Sequence, residues 1–243
     1  MMKKWGICLL AAGLFFTACK NDDDVNEISQ EDQNQVDDEA IVQYLEDHYF
    51  EPERGLIRKY DEEDETDDEY PNLKSMGVKL NSGVWVIKRP GVSAEGPSIT
   101  SNTQDSIQIS FDSKRFIASR DNTAEGGALY GTINPYFNTI NSTGVAAWDP
   151  TFYYFNISDE LAENDINLSH FVIEGFVEGL KEFKTTQTSG DDLYNFQGAI
   201  VVPSRVAFGR DFIYNGSQLR NDVYRNNSFI FNFELHQFLP RNN

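Results

Sequence analysis

The chain has 243 residues, enough for one domain of ordinary size, and 40% of them are hydrophobic, as in a globular protein. It carries 20 Lys and Arg against 39 Asp and Glu, a formal net charge of −19 at pH 7. This acidic excess argues against nucleic acid and anionic membrane surfaces as partners, because binding phosphate groups requires clustered Lys and Arg.

The first nineteen residues have the pattern of a secretory signal. Two lysines precede an apolar run that is too short to cross a bilayer, and small residues then lead to Cys19. The junction FTAC resembles a lipobox, which implies that residues 1–18 are removed and that Cys19 becomes lipidated. The alternative is an ordinary signal that is cleaved without lipid attachment.

A lipidated Cys19 would leave the mature chain without a free thiol, because Cys8 is lost with the signal. Disulfides, cysteine metal ligands and a cysteine nucleophile are then excluded. The anchor implies a location in the cell envelope, on the outer membrane, with the protein either periplasmic or exposed at the surface.

Residues 19–75 are predicted to form an acidic tether. The run KNDDD after Cys19 resembles the export tag of surface lipoproteins in Bacteroidetes-type bacteria, or it is simply a solvated spacer. The block DEEDETDDEY at 61–70 should stay extended, because its like charges repel. Between them, apolar residues at helical spacing predict a short helix near 38–49, and its apolar stripe favours docking on the following domain over a separate partner.

Residues 76–243 have the pattern of one α+β domain. Alternating aromatic and aliphatic residues predict strands at 83–87, 106–111, 152–157, 198–203 and 228–238, with one packed face. A single segment, GFVEGLKEF, is typical of a helix. Its glycines, Gly175 and Gly179, each cost roughly 1 kcal/mol in a helix, so something must lie close to that backbone. The expected fold is a curved antiparallel β-sheet wrapped on one short α-helix.

The order of these motifs resembles the FKBP-type peptidyl-prolyl cis-trans isomerases, over about residues 84–238. That family has a VI-x-G-W-x-E-G-L segment, a P-S-x-x-A-Y-G turn and a final strand of the F-D-V-E-L type. The positions that coincide are Val172, Ile173, Gly175, Glu178, Gly179, Leu180, Pro203, Ser204, Ala207, Gly209, Phe231, Glu234 and Leu235.

The resemblance implies an aromatic pocket for a prolyl ring, with the glycines of the helix allowing close approach of the backbone to the sheet and to a ligand. Its predicted substrate-binding residues are Phe111, Trp148, Tyr153, Val172, Phe176 and Phe231. Its predicted catalytic residues are Asp149 at the pocket edge, the backbone N–H of Ile173 and the ring of Phe208. Without the resemblance, the phenylalanines would be plain core residues, and Asp149 before Pro150 would be an ordinary turn residue.

The implied function is isomerisation of Xaa-Pro bonds in exported proteins by a monomer that needs no metal or cofactor. Phe208 replaces the family's Tyr, and Tyr224 and Arg225 replace its paired prolines, so reduced activity is expected. The alternatives are a non-catalytic FKBP-fold binding or chaperone lipoprotein, and a carbohydrate-binding lipoprotein that uses Trp85 and Trp148. The three scattered histidines do not suggest a triad or a zinc site.

Overall fold

The computed structural model describes residues 28–99, 105–121, 127–141 and 144–241. The helices are α1 Gln30–Glu46, α2 Leu73–Met76, α3 Asp159–Glu163 and α4 Glu174–Leu180. The strands are β1 His48–Phe50, β2 Ile57–Lys59, β3 Gly77–Lys79, β4 Trp85–Lys88, β5 Asp105–Ile117, β6 Ser119–Arg120, β7 Ala128–Leu129, β8 Asn134–Asn138, β9 Ala147–Trp148, β10 Gly198–Val202, β11 Ile213–Tyr214, β12 Leu219–Arg220 and β13 Asn227–Pro240. Short 3₁₀ helices cover Asp67–Glu69, Leu168–His170 and Ser204–Val206. The α+β class is as predicted.

The central sheet is antiparallel, with the strand order β3-β4-β10-β13-β5-β8 and β9 paired with β5. Phe229, Phe231 and Phe233 on β13 point to an inner face, which also carries α4, whereas Ile230 points to an outer face covered by α1. The predicted alternation in this strand is confirmed. The expectation of a single packed face is wrong, because separate hydrophobic clusters bury the two sides of the sheet.

Helix α4 lies directly against β10 on the inner face. A Cβ built on Gly175 would lie 2.5 Å from Val202 Cγ1, and one built on Gly179 would lie 2.8 Å from Ile200 Cγ2. Both distances are shorter than side chains tolerate, so glycine is required at both positions for the backbone to approach the sheet this closely. The expectation that these glycines allow the helix backbone to approach the sheet is confirmed.

Helix α1 spans Gln30–Glu46, so it is longer than the helix predicted at 38–49, and both its start and its end come earlier in the chain. It begins after Ser29, whose side chain accepts the Asp32 N–H, and its last turn is followed by β1. Its apolar side chains pack on the outer face of the sheet; they are Val36, Ala40, Ile41, Tyr44 and Leu45. The predicted tether is therefore corrected, because its residues from 30 onward belong to the packed unit and packing continues across residue 75.

Two further segments differ from the sequence prediction. The stretch 152–157 is turn and irregular chain rather than a strand. The acidic block at 61–70 folds back on itself instead of remaining extended, because the buried carboxylate of Asp67 accepts the N–H of Asp61 at 2.8 Å. A local hydrogen bond to the charged carboxylate offsets part of the like-charge repulsion there.

The signal, Cys19 and the KNDDD run lie outside the described residues. Within the described ranges, no helix is both long enough and apolar enough to cross a membrane.

Candidate functional site

The predicted pocket phenylalanines do come together on the inner face of the sheet. Phe111 comes from β5, Phe176 from α4 and Phe231 from β13, and each is 4% exposed or less. The ring centroids of Phe176 and Phe231 lie 4.6 Å apart. We call these three rings the aromatic site.

The aromatic site is occupied by a fourth ring, that of Phe152. Its centroid lies 5.0 Å from Phe111 and 5.0 Å from Phe176, both edge to face, and 4.8 Å from Phe231. Edge-to-face contacts of this kind are favourable beyond the burial of apolar area. Phe152 is only 1% exposed, so the space beside Phe176 is filled by the chain itself.

The backbone N–H of Ile173 is also engaged by Phe152. It donates to the Phe152 carbonyl oxygen at 2.8 Å. Ile173 caps the start of α4, which leaves its N–H without a partner inside the helix and directed at the preceding turn. In this structure the predicted donor to a substrate carbonyl is therefore engaged by the chain itself, and its role toward a substrate stays a prediction.

Asp149 does not present a free carboxylate. One oxygen accepts the Ile107 N–H at 3.0 Å; the other accepts from Ser106 Oγ at 2.7 Å and from Arg241 at 3.0 Å. Asp149 also has a left-handed backbone, with φ of 45°. Its carboxylate holds the start of β5 to the turn that carries Phe152, and its predicted role toward a substrate at the pocket edge stays a prediction.

Trp148 and Tyr153 flank that turn without entering the aromatic site. Trp148 lies on β9 opposite Gln108 and is 43% exposed. Tyr153 is fully buried, and its hydroxyl donates to the Asp105 carbonyl at 2.8 Å. Burial raises the pKa of this hydroxyl. The structure therefore does not bring these two side chains together with the three phenylalanines, and their contacts with a ligand stay predictions.

Val172 and Phe208 line the edges of the same core. Val172 precedes α4 and is nearly buried. The Phe208 ring stacks on Tyr224 at 5.6 Å and meets Phe229 at 5.9 Å, so one ring separates it from Phe231. Phe208 is 4% exposed and has no hydroxyl to offer a carbonyl.

Sequence reasoning missed Phe152 and Tyr136. The predicted strand at 152–157 favoured Tyr153 as the inward side chain. In the structure this stretch begins with a turn, and the ring of Phe152 points inward instead. Tyr136 lies on β8 and meets Phe229 at 4.9 Å and Tyr224 at 5.2 Å. Its surroundings in the sequence are rich in Gly, Asn and Thr, which gave no sign of a buried ring.

Outside the aromatic site, the described residues include few groups arranged for acid–base or metal chemistry. His236 Nε2 lies 2.9 Å from Ser110 Oγ, and its Nδ1 lies 2.7 Å from Thr188 Oγ1. This group is buried beneath the 186–195 segment, whose Asn195 N–H donates to Glu234, so it holds that segment to β13 rather than facing solvent. In the part of the chain that the structure describes, no cluster of His, Cys, Asp or Glu is arranged to bind a metal.

A cavity of about 430 Å³ lies away from the aromatic site, between the chain after β4 and the end of α4. Its lining includes Lys88, Arg89, Lys181 and Lys184 together with Glu95 and Glu182. The predicted site residues are absent from that lining.

No family model and no curated protein matches this chain. The solved structures that are similar to it include the following two. FkpA from Escherichia coli is 15% identical over 69% of this chain and 53% of its own, with a TM-score of 0.34. A peptidyl-prolyl cis-trans isomerase from Pseudomonas syringae pv. tomato is 11% identical over 88% of this chain and 98% of its own, with a TM-score of 0.36. The match spans about half of FkpA, and at these scores neither likeness carries an argument about this chain.

Proposed function

We propose that this chain is an FKBP-like peptidyl-prolyl cis-trans isomerase of low activity that binds proline-containing segments of exported polypeptides. The observation that carries the proposal is the convergence of Phe111, Phe176, Phe231 and the Ile173 N–H around one ring and one carbonyl oxygen. A peptide ligand of this family's kind requires the same two elements. The motif set around α4 and the 203–209 turn supports the same reading.

The chemistry needs no nucleophile. Rotation about an Xaa-Pro bond breaks amide resonance against a barrier of roughly 18–20 kcal/mol and takes tens to hundreds of seconds unaided. A dry aromatic site favours the twisted, less polar amide, and a backbone N–H holds a flanking carbonyl in place. Phe176 would lie beneath the prolyl ring, and Ile173 would supply the N–H.

Low activity follows from two features of the site. The Phe152 ring packs against Phe176 and Phe231, where the proposal would put the prolyl ring. Phe208 lacks the hydroxyl with which the family's Tyr would bind a substrate carbonyl, a hydrogen bond worth roughly 0.5–1.5 kcal/mol. These features favour a second candidate, a binding or chaperone module that holds proline segments without turning them.

The carbohydrate-binding alternative loses one of its two tryptophans. Trp85 is 7% exposed and packs in the outer cluster, so it offers no face to a sugar ring. Trp148 alone remains at the surface.

The test combines peptide affinity with the refolding rate of a protein limited by prolyl isomerisation. We expect the wild type to bind a blocked Ala-Leu-Pro-Phe peptide weakly and to accelerate refolding modestly. Phe176→Leu should weaken binding about tenfold, because the ring beneath the proline is lost. Phe116→Leu is the matched control, since Phe116 is equally buried but lies in the outer cluster.

Acceleration by the wild type would support isomerisation. Binding without acceleration would leave the binding module as the function. If the wild type does not bind the peptide at millimolar concentration, both candidates are wrong.

A further inference from the structure

Phe152 presents to the aromatic site what a bound peptide residue would present. Its ring lies among the rings of Phe111, Phe176 and Phe231, and its carbonyl accepts the Ile173 N–H. The buried carbonyl of any core residue needs a hydrogen-bond partner; that of Phe152 takes the Ile173 N–H, the donor predicted for a substrate carbonyl. The combination of ring and carbonyl is that of a ligand held in a binding site.

The chain on both sides of Phe152 is fixed by bonds outside the aromatic site. Before it, the Asp149 carboxylate is held by Ser106, Ile107 and Arg241. After it, the Tyr153 hydroxyl donates to Asp105, and the Tyr153 N–H donates to the Pro150 carbonyl. The 150–153 turn therefore keeps its place without the Phe152 ring, and only that ring and its carbonyl enter the site.

The backbone at Asp149 is consistent with a turn built to direct Phe152 inward. A non-glycine residue at φ of 45° is uncommon and persists where its surroundings determine it. Here the carboxylate bonds to β5 supply that determination. The position of the turn that carries Phe152 is thus set by the bonds between Asp149 and β5.

We propose that Phe152 is an intramolecular occupant of the ligand site, and that the site binds peptide segments able to displace it. The inference rests on the proposed function and adds its ligand class and its control. The ligand is a segment that presents one apolar ring, prolyl or aromatic, together with the carbonyl oxygen of the same residue. Displacement exposes or relocates the Phe152 ring, which lowers the apparent affinity for peptide by about ten- to a hundredfold.

Truncation of Phe152 tests this directly. In Phe152→Ala the ring is removed, while Asp149 and Tyr153 keep their bonds to β5. We expect the blocked Ala-Leu-Pro-Phe peptide to bind this variant at least tenfold more tightly than the wild type and to raise its melting temperature. The ¹⁵N–H resonance of Ile173 should shift on binding, because its acceptor changes from the backbone carbonyl of residue 152 to that of the peptide.

Phe116→Ala is the matched control for loss of a buried ring. It should lose comparable stability and gain no affinity for the peptide. If Phe152→Ala fails to fold, Phe152→Val leaves a smaller void and should show the same direction of change.

The outcomes separate the inference from the proposed function. Equal affinities in wild type and Phe152→Ala would overturn the inference and leave the proposed function standing. Binding by Phe152→Ala alone would show that Phe152 closes the site without being displaced, which would overturn both the displacement proposed here and the proposed function of the wild type. Absence of binding in both proteins would overturn both.

Discussion

Gly179 shows how a single hydrogen atom sets the distance between α4 and the sheet. A Cβ at this position would lie 2.8 Å from Ile200 Cγ2 and 3.1 Å from Ile200 Cγ1. Alanine would improve helix propensity by roughly 1 kcal/mol, but overpacking a core costs typically about 1–3 kcal/mol. We expect Gly179→Ala to lower the free energy of unfolding by about 1–2 kcal/mol, measured by urea denaturation.

Two controls isolate the contact. Gly127→Ala should change stability by less than about 0.5 kcal/mol, because no atom of the described residues lies within 4 Å of a Cβ built there. In the Ile200→Ala background the clashing atoms are absent, so the penalty of Gly179→Ala should disappear. A Gly179→Ala protein as stable as the wild type would show that α4 does not need this close approach.

His48, which begins β1 directly after α1, makes the free energy of unfolding depend on pH. His48 is buried, stacks on Tyr44 at 3.9 Å, and its Nδ1 lies 2.7 Å from the Tyr44 carbonyl oxygen. Burial lowers the pKa of His48 to about 4. Between about pH 6.5 and 4 the unfolded chain therefore binds a proton that the folded chain does not, and the free energy of unfolding falls as pH is lowered.

The expected loss from this group between pH 7 and pH 4 is about 1–3 kcal/mol, since one pKa unit corresponds to about 1.36 kcal/mol. His48→Gln removes the titrating group and keeps a side-chain N–H, so its stability should decline less over the same range. Urea denaturation at both pH values measures this difference. An identical decline in both proteins would exclude His48 as its source.

Among the helices and strands, the sequence predicted those whose spacing of apolar residues is regular along the whole element. The alternation of Phe229, Phe231 and Phe233 placed β13, and the GFVEGL segment placed α4. The beginning of α1 was missed because its buried first turns include Gln33 and Asp37, which bond to each other and, through Asp37, to Ser204. Burial raises the pKa of Asp37. A helix prediction that relies on the spacing of apolar residues overlooks buried polar residues of this kind.

The sequence predicted the three phenylalanines of the aromatic site, but it did not predict that Phe152 fills the space between them. Phe111, Phe176 and Phe231 lie on regular elements, so their periodicity brought them to one face. The entry of Phe152 depends on Asp149, whose partners Ser106 and Ile107 are more than forty positions earlier in the chain. Tertiary contacts of that separation leave no local signal in FYYFNI, which alternates as a strand would.

For the molecule as a whole, packing on both faces of the sheet shortens the segment available as a tether. Residues from Gln30 onward belong to the folded unit, so the tether predicted at 19–75 can involve only residues before Gln30. The proposed anchor is a lipid on Cys19, motivated by the FTAC junction. Each buried CH₂ of an acyl chain contributes about 0.8 kcal/mol to membrane binding.

Replacement of Cys19 tests the anchor. We expect Cys19→Ala protein to move from the membrane fraction to the soluble fraction, with an unchanged melting temperature because the residue precedes α1. Cys8→Ala is the matched control and should remain with membranes, since Cys8 lies in the predicted signal, which the proposed cleavage before Cys19 would remove. Sedimentation of Cys19→Ala in the same proportion as wild type would show that a lipid on this cysteine does not hold the protein, and the envelope location would then need another attachment.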